Sequence, residues 1–200
     1  MALLAALGGV FLEPWHACGR HAAWTSTSLN RGFCRSGERN AAASLKTVTV
    51  AQADFRSNDR DGNKVNDFWR GDIAGLYGLC PPDTTEMVKL LEISVAGADH
   101  DPIDPGTTPP APGKMAGQTY YATHAPKAGY WFRALRHADE ETPDPNRFAA
   151  CAFPDSRSGG RWTYVTDERN TVWKRDLGEK RGIEVFPTDE ELRTQWSKLD

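Results

Sequence analysis

Residues 36–56, SGERNAAASLKTVTVAQADFR, decide the fold. Ala41, Leu45, Val48 and Phe55 recur at i, i+4, i+7 and i+14, which is one face of an α-helix. Ser36 is placed to cap the start, Glu38 suits the first turn and Arg56 the last. Arg39, Lys46 and Gln52 are expected in water. Small residues dominate the segment, so another element can pack close to it.

The polar stretch NDRDGNKVNDFW, residues 58–69, ends this helix. Asp59, Asp61, Asn63 and Asp67 stand at positions 1, 3, 5 and 9 of a calcium-type loop, and Val65 at position 7 would offer its carbonyl. The pattern resembles thrombospondin type 3 and dockerin loops. Two features depart from it. Position 6, usually Gly, is Lys64, and position 12, usually Glu, is Arg70, which leaves Asp72 as the nearby substitute. The bland alternative is a turn whose Asp and Asn side chains bond their own backbone. The five candidate ligands for Ca2+ are therefore Asp59, Asp61, Asn63, Val65 and Asp67.

Downstream, PPDTTEMVKLLEISVAGAD (81–99) reads as a second helix. Asp83 and Glu86 have capping-box spacing, and Met87, Leu91 and Val95 form a stripe. Residues 99–127 carry six prolines, which excludes a helix or central strand and leaves a long loop. Strands follow at GYWFRAL (129–135) and RFAACAF (147–153). RWTYVT and TVWKRD form a hairpin around DERN. Thr188 and Glu191 make a capping box for a short C-terminal helix with Leu192, Trp196 and Leu199 on one face. The order gives an α+β fold: an N-terminal helix packed on a small antiparallel sheet of three to four strands, with a long Pro-rich loop and a short C-terminal helix. The sheet should face the helix with residues from 130–134, 148–153, 162–165 and 172–173.

Composition narrows the class. Two hundred residues form one domain or one domain with a tail. A net charge of −3 with mixed signs leaves no basic face, so no nucleic-acid partner is expected. Seven tryptophans spread from Trp15 to Trp196 fit scattered core anchors better than one binding box. Residues 1–12 are apolar, with the length of an export segment, whereas a bilayer span needs about 20 residues. Residues 1–35 read as a degenerate leader or anchor, weakly ordered, and residues 36–200 as a single α+β domain. The four cysteines, Cys18, Cys34, Cys80 and Cys151, permit two disulfides or four buried thiols. If the chain is exported, Cys80 with Cys151 is the preferred pair, because the other two lie in the leader.

Enzymatic signatures are missing. The sequence holds no H-E-x-x-H, G-x-S-x-G or P-loop. His16, Cys18, His21 and Cys34 are zinc-capable types without finger spacing. DHD (99–101) and HADEE (137–141) place acids near histidines without a partner nucleophile. Trp69, Tyr77, Trp131, Trp162 and Trp173 could stack a ligand, but strand aromatics more often pack across strands.

The segments ERNAAASLKTVTVAQADFRSNDRDGNKVNDFWRGDIAGLYGL, KLLEISVAGAD, KAGYWFRAL, FAACAFPDSRSGGRWTYVTDERNTVWKRDLG and WSKLD resemble an uncharacterised bacterial domain-of-unknown-function family, largely from planctomycetes. That family is similar to type II secretion pseudopilins. The resemblance implies a pseudopilin-like, non-enzymatic structural or assembly domain in the cell envelope, periplasm or cell surface. Its implied partners are other pilin-like or envelope proteins, with membrane association only through the upstream segment. A pilin-like chain opens with a long apolar helix and a G-F-T-L-I-E-like motif, and residues 13–35 with GFCRSGE depart from both. The alternative is a cell-surface binding module, stabilised by calcium.

Overall fold

The computed structural model describes residues 22–82, 84, 86–103, 123–139, 142 and 144–199. Its first element is a helix, α1, over Ala22–Ser57, 36 residues long and so about 54 Å from end to end. Ser36 does not cap it and Glu38 is not in its first turn, because the helix begins at Ala22. From Ala22 on, the stretch expected to be a weakly ordered leader is helical; residues 1–21 lie outside the described residues.

The stripe on α1 packs as expected. Ala41, Leu45, Val48 and Phe55 are each at most 1% exposed. Gln52, expected in water, is 3% exposed. It lies four residues after Val48 and seven after Leu45, on the stripe itself. Arg39 and Lys46 are exposed as expected.

The sheet has five antiparallel strands: β1 (Tyr130–Ala134), β3 (Ala149–Pro154), β4 (Thr163–Asp167), β5 (Trp173–Arg175) and β7 (Ser197–Lys198), in the spatial order β1-β3-β4-β5-β7. A separate parallel pair joins β2 (Arg136–His137) to β6 (Val185–Phe186). The fifth strand comes from residues expected to continue the C-terminal helix. That helix, α4 (Asp189–Gln195), has the expected Thr188–Glu191 capping box. It stops where Trp196 turns extended, so Leu199 leaves the helical face and is 40% exposed.

Both faces of the sheet are covered, and this explains the small residues of β3. Ala150 and Ala152 point to the α1 side with Tyr130, Phe132, Tyr164 and Val172. Ala149, Cys151 and Phe153 point to the other side with Val165, Phe186, Leu192 and Trp196. A strand buried on both faces reads as a continuous apolar run rather than an alternation. Alanines on the helix side also let α1 lie close.

The second long helix does not form. Among the described residues, only single turns, α2 (Gly75–Gly78) and α3 (Ile93–Ala96), occur between α1 and the sheet. Val88, Lys89 and Leu90 donate instead to the carbonyls of Leu79, Tyr77 and Leu76. Lys89 is left-handed, with φ +49°, which ends any helix there. Thr84 accepts from the Glu86 amide, a local turn in place of the expected capping box; Asp83 lies outside the described residues. Leu91 and Val95 still reach the core, so the apolar spacing is met by tertiary packing and not by helical period. Of the Pro-rich stretch 99–127, residues 104–122 are outside the described residues. Its start pairs with the free edge of β1: Asp99 lies opposite Phe132, whose amide donates to the Ala98 carbonyl and whose carbonyl accepts from the His100 amide.

Cys80 and Cys151 form no disulfide; both are buried thiols. Cys151 lies on the face of the sheet away from α1, its Sγ toward the Ile183 carbonyl. Burial pushes the Cys151 thiol up to about 12. Among the described residues, no helix is long and apolar enough to cross a membrane.

Candidate functional site

α1 unwinds into the candidate calcium loop at Ser57. Asn58 is bound back to the Asp54 carbonyl, and Arg60 pairs with the Asp54 carboxylate at 2.7 Å. The chain then passes through three left-handed residues: Asp59 (φ +45°), Gly62 (φ +70°) and Lys64 (φ +66°). Position 6 of a calcium loop favours Gly because it needs a sharp turn. Lys64 supplies that conformation without the glycine.

Asn63 brings two of the expected ligand residues, Asp61 and Asp67, together. One carboxylate oxygen of Asp59, Oδ2, accepts from the Lys64 amide at 3.0 Å; the other, Oδ1, is buried with no hydrogen-bond partner. Asn63 Nδ2 lies 2.8 Å from Asp61 Oδ2 and 3.3 Å from Asp67 Oδ2. Asn63 Oδ1 accepts from the Val65 amide at 2.7 Å, and the Val65 carbonyl accepts from the Asp67 amide at 3.0 Å. Burial first, and the carboxylates of Asp67 and Asp59 after it, raise the Asp61 carboxyl above its ordinary value. The Asn63 amide group thus bridges two carboxylates, a role that a cation performs more strongly.

The donor set fits calcium in type, with three carboxylates, one amide oxygen and one carbonyl. It falls short of the six to eight oxygens the ion takes, the remainder being for water to supply. Asp72 is not the closing ligand. Its Oδ1 accepts from Trp69 Nε1 and the Gly75 amide, and its Oδ2 from the Ile103 amide. Arg70 instead donates to the Asp144 carbonyl. No cluster of three or more His, Cys, Asp or Glu able to hold a metal occurs among the described residues. Asp59, Asp61 and Asp67 do not form one.

Sequence reasoning missed what fastens the loop. Gln52 Nε2 donates to the Trp69 carbonyl at 2.6 Å, and Gln52 Oε1 accepts the Trp69 amide at 2.9 Å. Asp99, buried at 1% exposure, accepts from the Ile73 and Ala74 amides and from the Asp101 amide. Burial, and then the nearby Asp72 carboxylate, raise the Asp99 carboxyl to about 7. A polar residue inside an apolar stripe, such as Gln52, was the one available signal.

The other clusters part company. His100 bonds Asp101 and Arg133 at the protein surface, while Asp99 turns inward. His137 is buried beside Arg147, with Asp139 outside it; Glu140 and Glu141 are not among the described residues. His16, Cys18 and His21 also lie outside them, as do the side-chain surroundings of Cys34. Of the five candidate stacking aromatics, Trp69 packs on Phe55, and Trp162 carries Arg161 and Lys174 over its ring.

The opposite end of the α1–sheet contact is a collar of small residues. A Cβ on Gly37 would stand 2.6 Å from the Ala128 carbonyl oxygen and 3.3 Å from that of Gly159. Glu38 Oε1 accepts the Arg161 amide at 3.2 Å. Upstream of this collar α1 continues to Ala22. Comparison of the chain with family models, with curated proteins and with solved structures gives no match.

Proposed function

We propose that this chain is a non-enzymatic structural or assembly domain of pseudopilin-like design, exported to the cell envelope, with α1 as its spine. One observation carries the reading: the stripe-bearing half of α1 is packed on the sheet, and the same helix runs on beyond the Gly37 collar to Ala22. At 36 residues α1 is far longer than the roughly 10–14 of an average globular helix, which leaves its turns upstream of the collar for assembly. Partners of the same architecture, or other envelope proteins, would give those turns a surface. Crosslinking of the native full chain in its own cells, followed by mass measurement, tests this. Ladders of copies or defined envelope complexes support the spine; a monomer under all crosslinking conditions overturns it.

The second reading is a calcium-stabilised binding module. It is favoured by the left-handed Lys64 and by Asn63, whose amide group joins the carboxylates of Asp61 and Asp67. The two readings share the loop and differ in the role of α1. A calcium-dependent rise in Tm combined with a strictly monomeric chain favours the module.

A further inference from the structure

His137 is 5% exposed and both its ring nitrogens are engaged. Arg147 Nη2 lies 2.8 Å from Nδ1. A guanidinium only donates, so Nδ1 must accept and carries no proton. Nε2 lies 3.3 Å from the Phe148 carbonyl oxygen, which only accepts, so Nε2 carries the hydrogen. The geometry therefore holds a neutral imidazole in one tautomer. The same ring packs on Phe186 at 5.2 Å between centroids. His137 and Phe186 are register partners in the two-residue β2–β6 pair, and the Arg136 amide donates to the Glu184 carbonyl.

We propose that His137 is an acid-sensitive latch: protonation of its Nδ1 displaces Arg147 and releases the β2–β6 ribbon from the main sheet. A proton taken from solvent onto Nδ1 turns the acceptor into a donor facing a second cation, so proton and Arg147 bond exclude each other. Both new states have partners ready. Arg147 already holds the exposed Asp139 through two contacts, at 2.9 and 3.0 Å, and can swing outward on them. The Glu168 carboxylate, 4.0 Å from Nε2, gives the imidazolium a counterion. Glu168 also accepts the Phe148 amide at 3.3 Å, so its shift toward the ring pulls on the start of β3. The remaining charges on this cavity, Asp167 and Asp189, are both taken by Arg169 and do not compete for the ring. Arg136 and Glu184 flank the ribbon and are exposed.

Amide hydrogen exchange on the full chain tests the latch. Between about pH 7.5 and about pH 5.5, protection of the Arg136 and Phe186 amides should fall by about tenfold or more after correction for intrinsic exchange, while Phe132, Ala152 and Val165 keep theirs. The ring nitrogen shifts of His137 should report the Nε2–H tautomer at the higher pH. His137→Gln can donate to Phe148 and accept from Arg147 without titrating, so its ribbon should stay protected at both pH values. Unchanged ribbon protection in the wild type, an Nδ1–H tautomer at the higher pH, or the same acid loss in a folded His137→Gln overturns the proposal.

Discussion

Gln52 and Trp69 are bonded to each other twice, side-chain amide to backbone, at 2.6 and 2.9 Å. This pair closes the loop 58–67 against α1 by satisfying both backbone groups of Trp69. Trp69 then stacks on Phe55, with ring centroids 5.8 Å apart. The loop is thereby tied to the same helical stripe that fills the core.

Gln52→Ala removes both bonds and leaves the Trp69 amide and carbonyl without them. Each unsatisfied group costs about 1–3 kcal/mol, so a loss of roughly 2–6 kcal/mol is expected. Gln52→Glu keeps the shape but sets a carboxylate against the Trp69 carbonyl, and should lose nearly as much. Urea unfolding midpoints check this. Values within about 0.5 kcal/mol of wild type, the range of ordinary surface changes, would show that the pair contributes little.

If the loop 58–69 binds calcium, it makes opposite demands with and without the ion. Without it, Asp61 is crowded by Asp59 and Asp67, which with burial raises its carboxyl. Asp61→Asn should therefore raise Tm in chelator. Millimolar calcium should raise the wild-type Tm, since a ligand that binds only the folded state stabilises it. In Asp61→Ala that rise should vanish. No calcium-dependent shift in wild type removes the ion from the account.

What was legible in the sequence followed periodicity. The α1 stripe, four of the five sheet strands and the Thr188–Glu191 cap were readable because apolar spacing or cap chemistry is local. The helix expected over 81–99 failed because its apolar spacing serves contacts with α1, while its amides bond to residues 76–79. The same limit hid β7, a two-residue strand made by pairing with β5 and not by its own pattern. In the loop, the left-handed Lys64 was not readable, because a lysine carries no mark of positive φ. Gln52 was misplaced although its spacing put it on the stripe, because its polarity was weighed above its position.

Asp99 gives a pH dependence of defined sign. Its carboxyl is raised to about 7 in the folded protein, by burial and then by Asp72. The unfolded value is near 3.9, so the folded state binds the extra proton between these limits. Stability from this group is present below the lower value and is lost as pH rises toward and through about 7. Denaturation at about pH 5 and about pH 8 should show the wild type more stable at the lower value with respect to this group. Asp99→Asn should lose that component of the slope, whatever its absolute stability. An unchanged slope means that the three amides donating to Asp99 keep it charged throughout.

The spine reading depends on two contacts at different points of α1, and they should respond differently to mutation. Leu45 and Phe55 lie in the core at 0% and 1% exposure. Burying each contributes about 1.5–3 kcal/mol, and truncation adds a cavity, so Leu45→Ala should cost about 2–5 kcal/mol and Phe55→Ala about 3–5. Val50, on the outer side of α1 at 66% exposure, is the control, and Val50→Ala should change stability by less than about 0.5 kcal/mol. Gly37 is different again. A Cβ there meets the Ala128 carbonyl oxygen at 2.6 Å, a backbone atom held beside the left-handed Gly129, so the collar must open. Gly37→Ala also gains helix propensity of about 0.8–1 kcal/mol, which offsets part of the clash. Its net effect on unfolding should therefore be small, while the direction in which α1 leaves the sheet changes. Crosslinked complexes of the full chain should be lost in Gly37→Ala at near wild-type stability, and kept in Val50→Ala. If Gly37→Ala assembles like wild type, the path of the helix past the collar does not govern assembly, and α1 is a core helix alone.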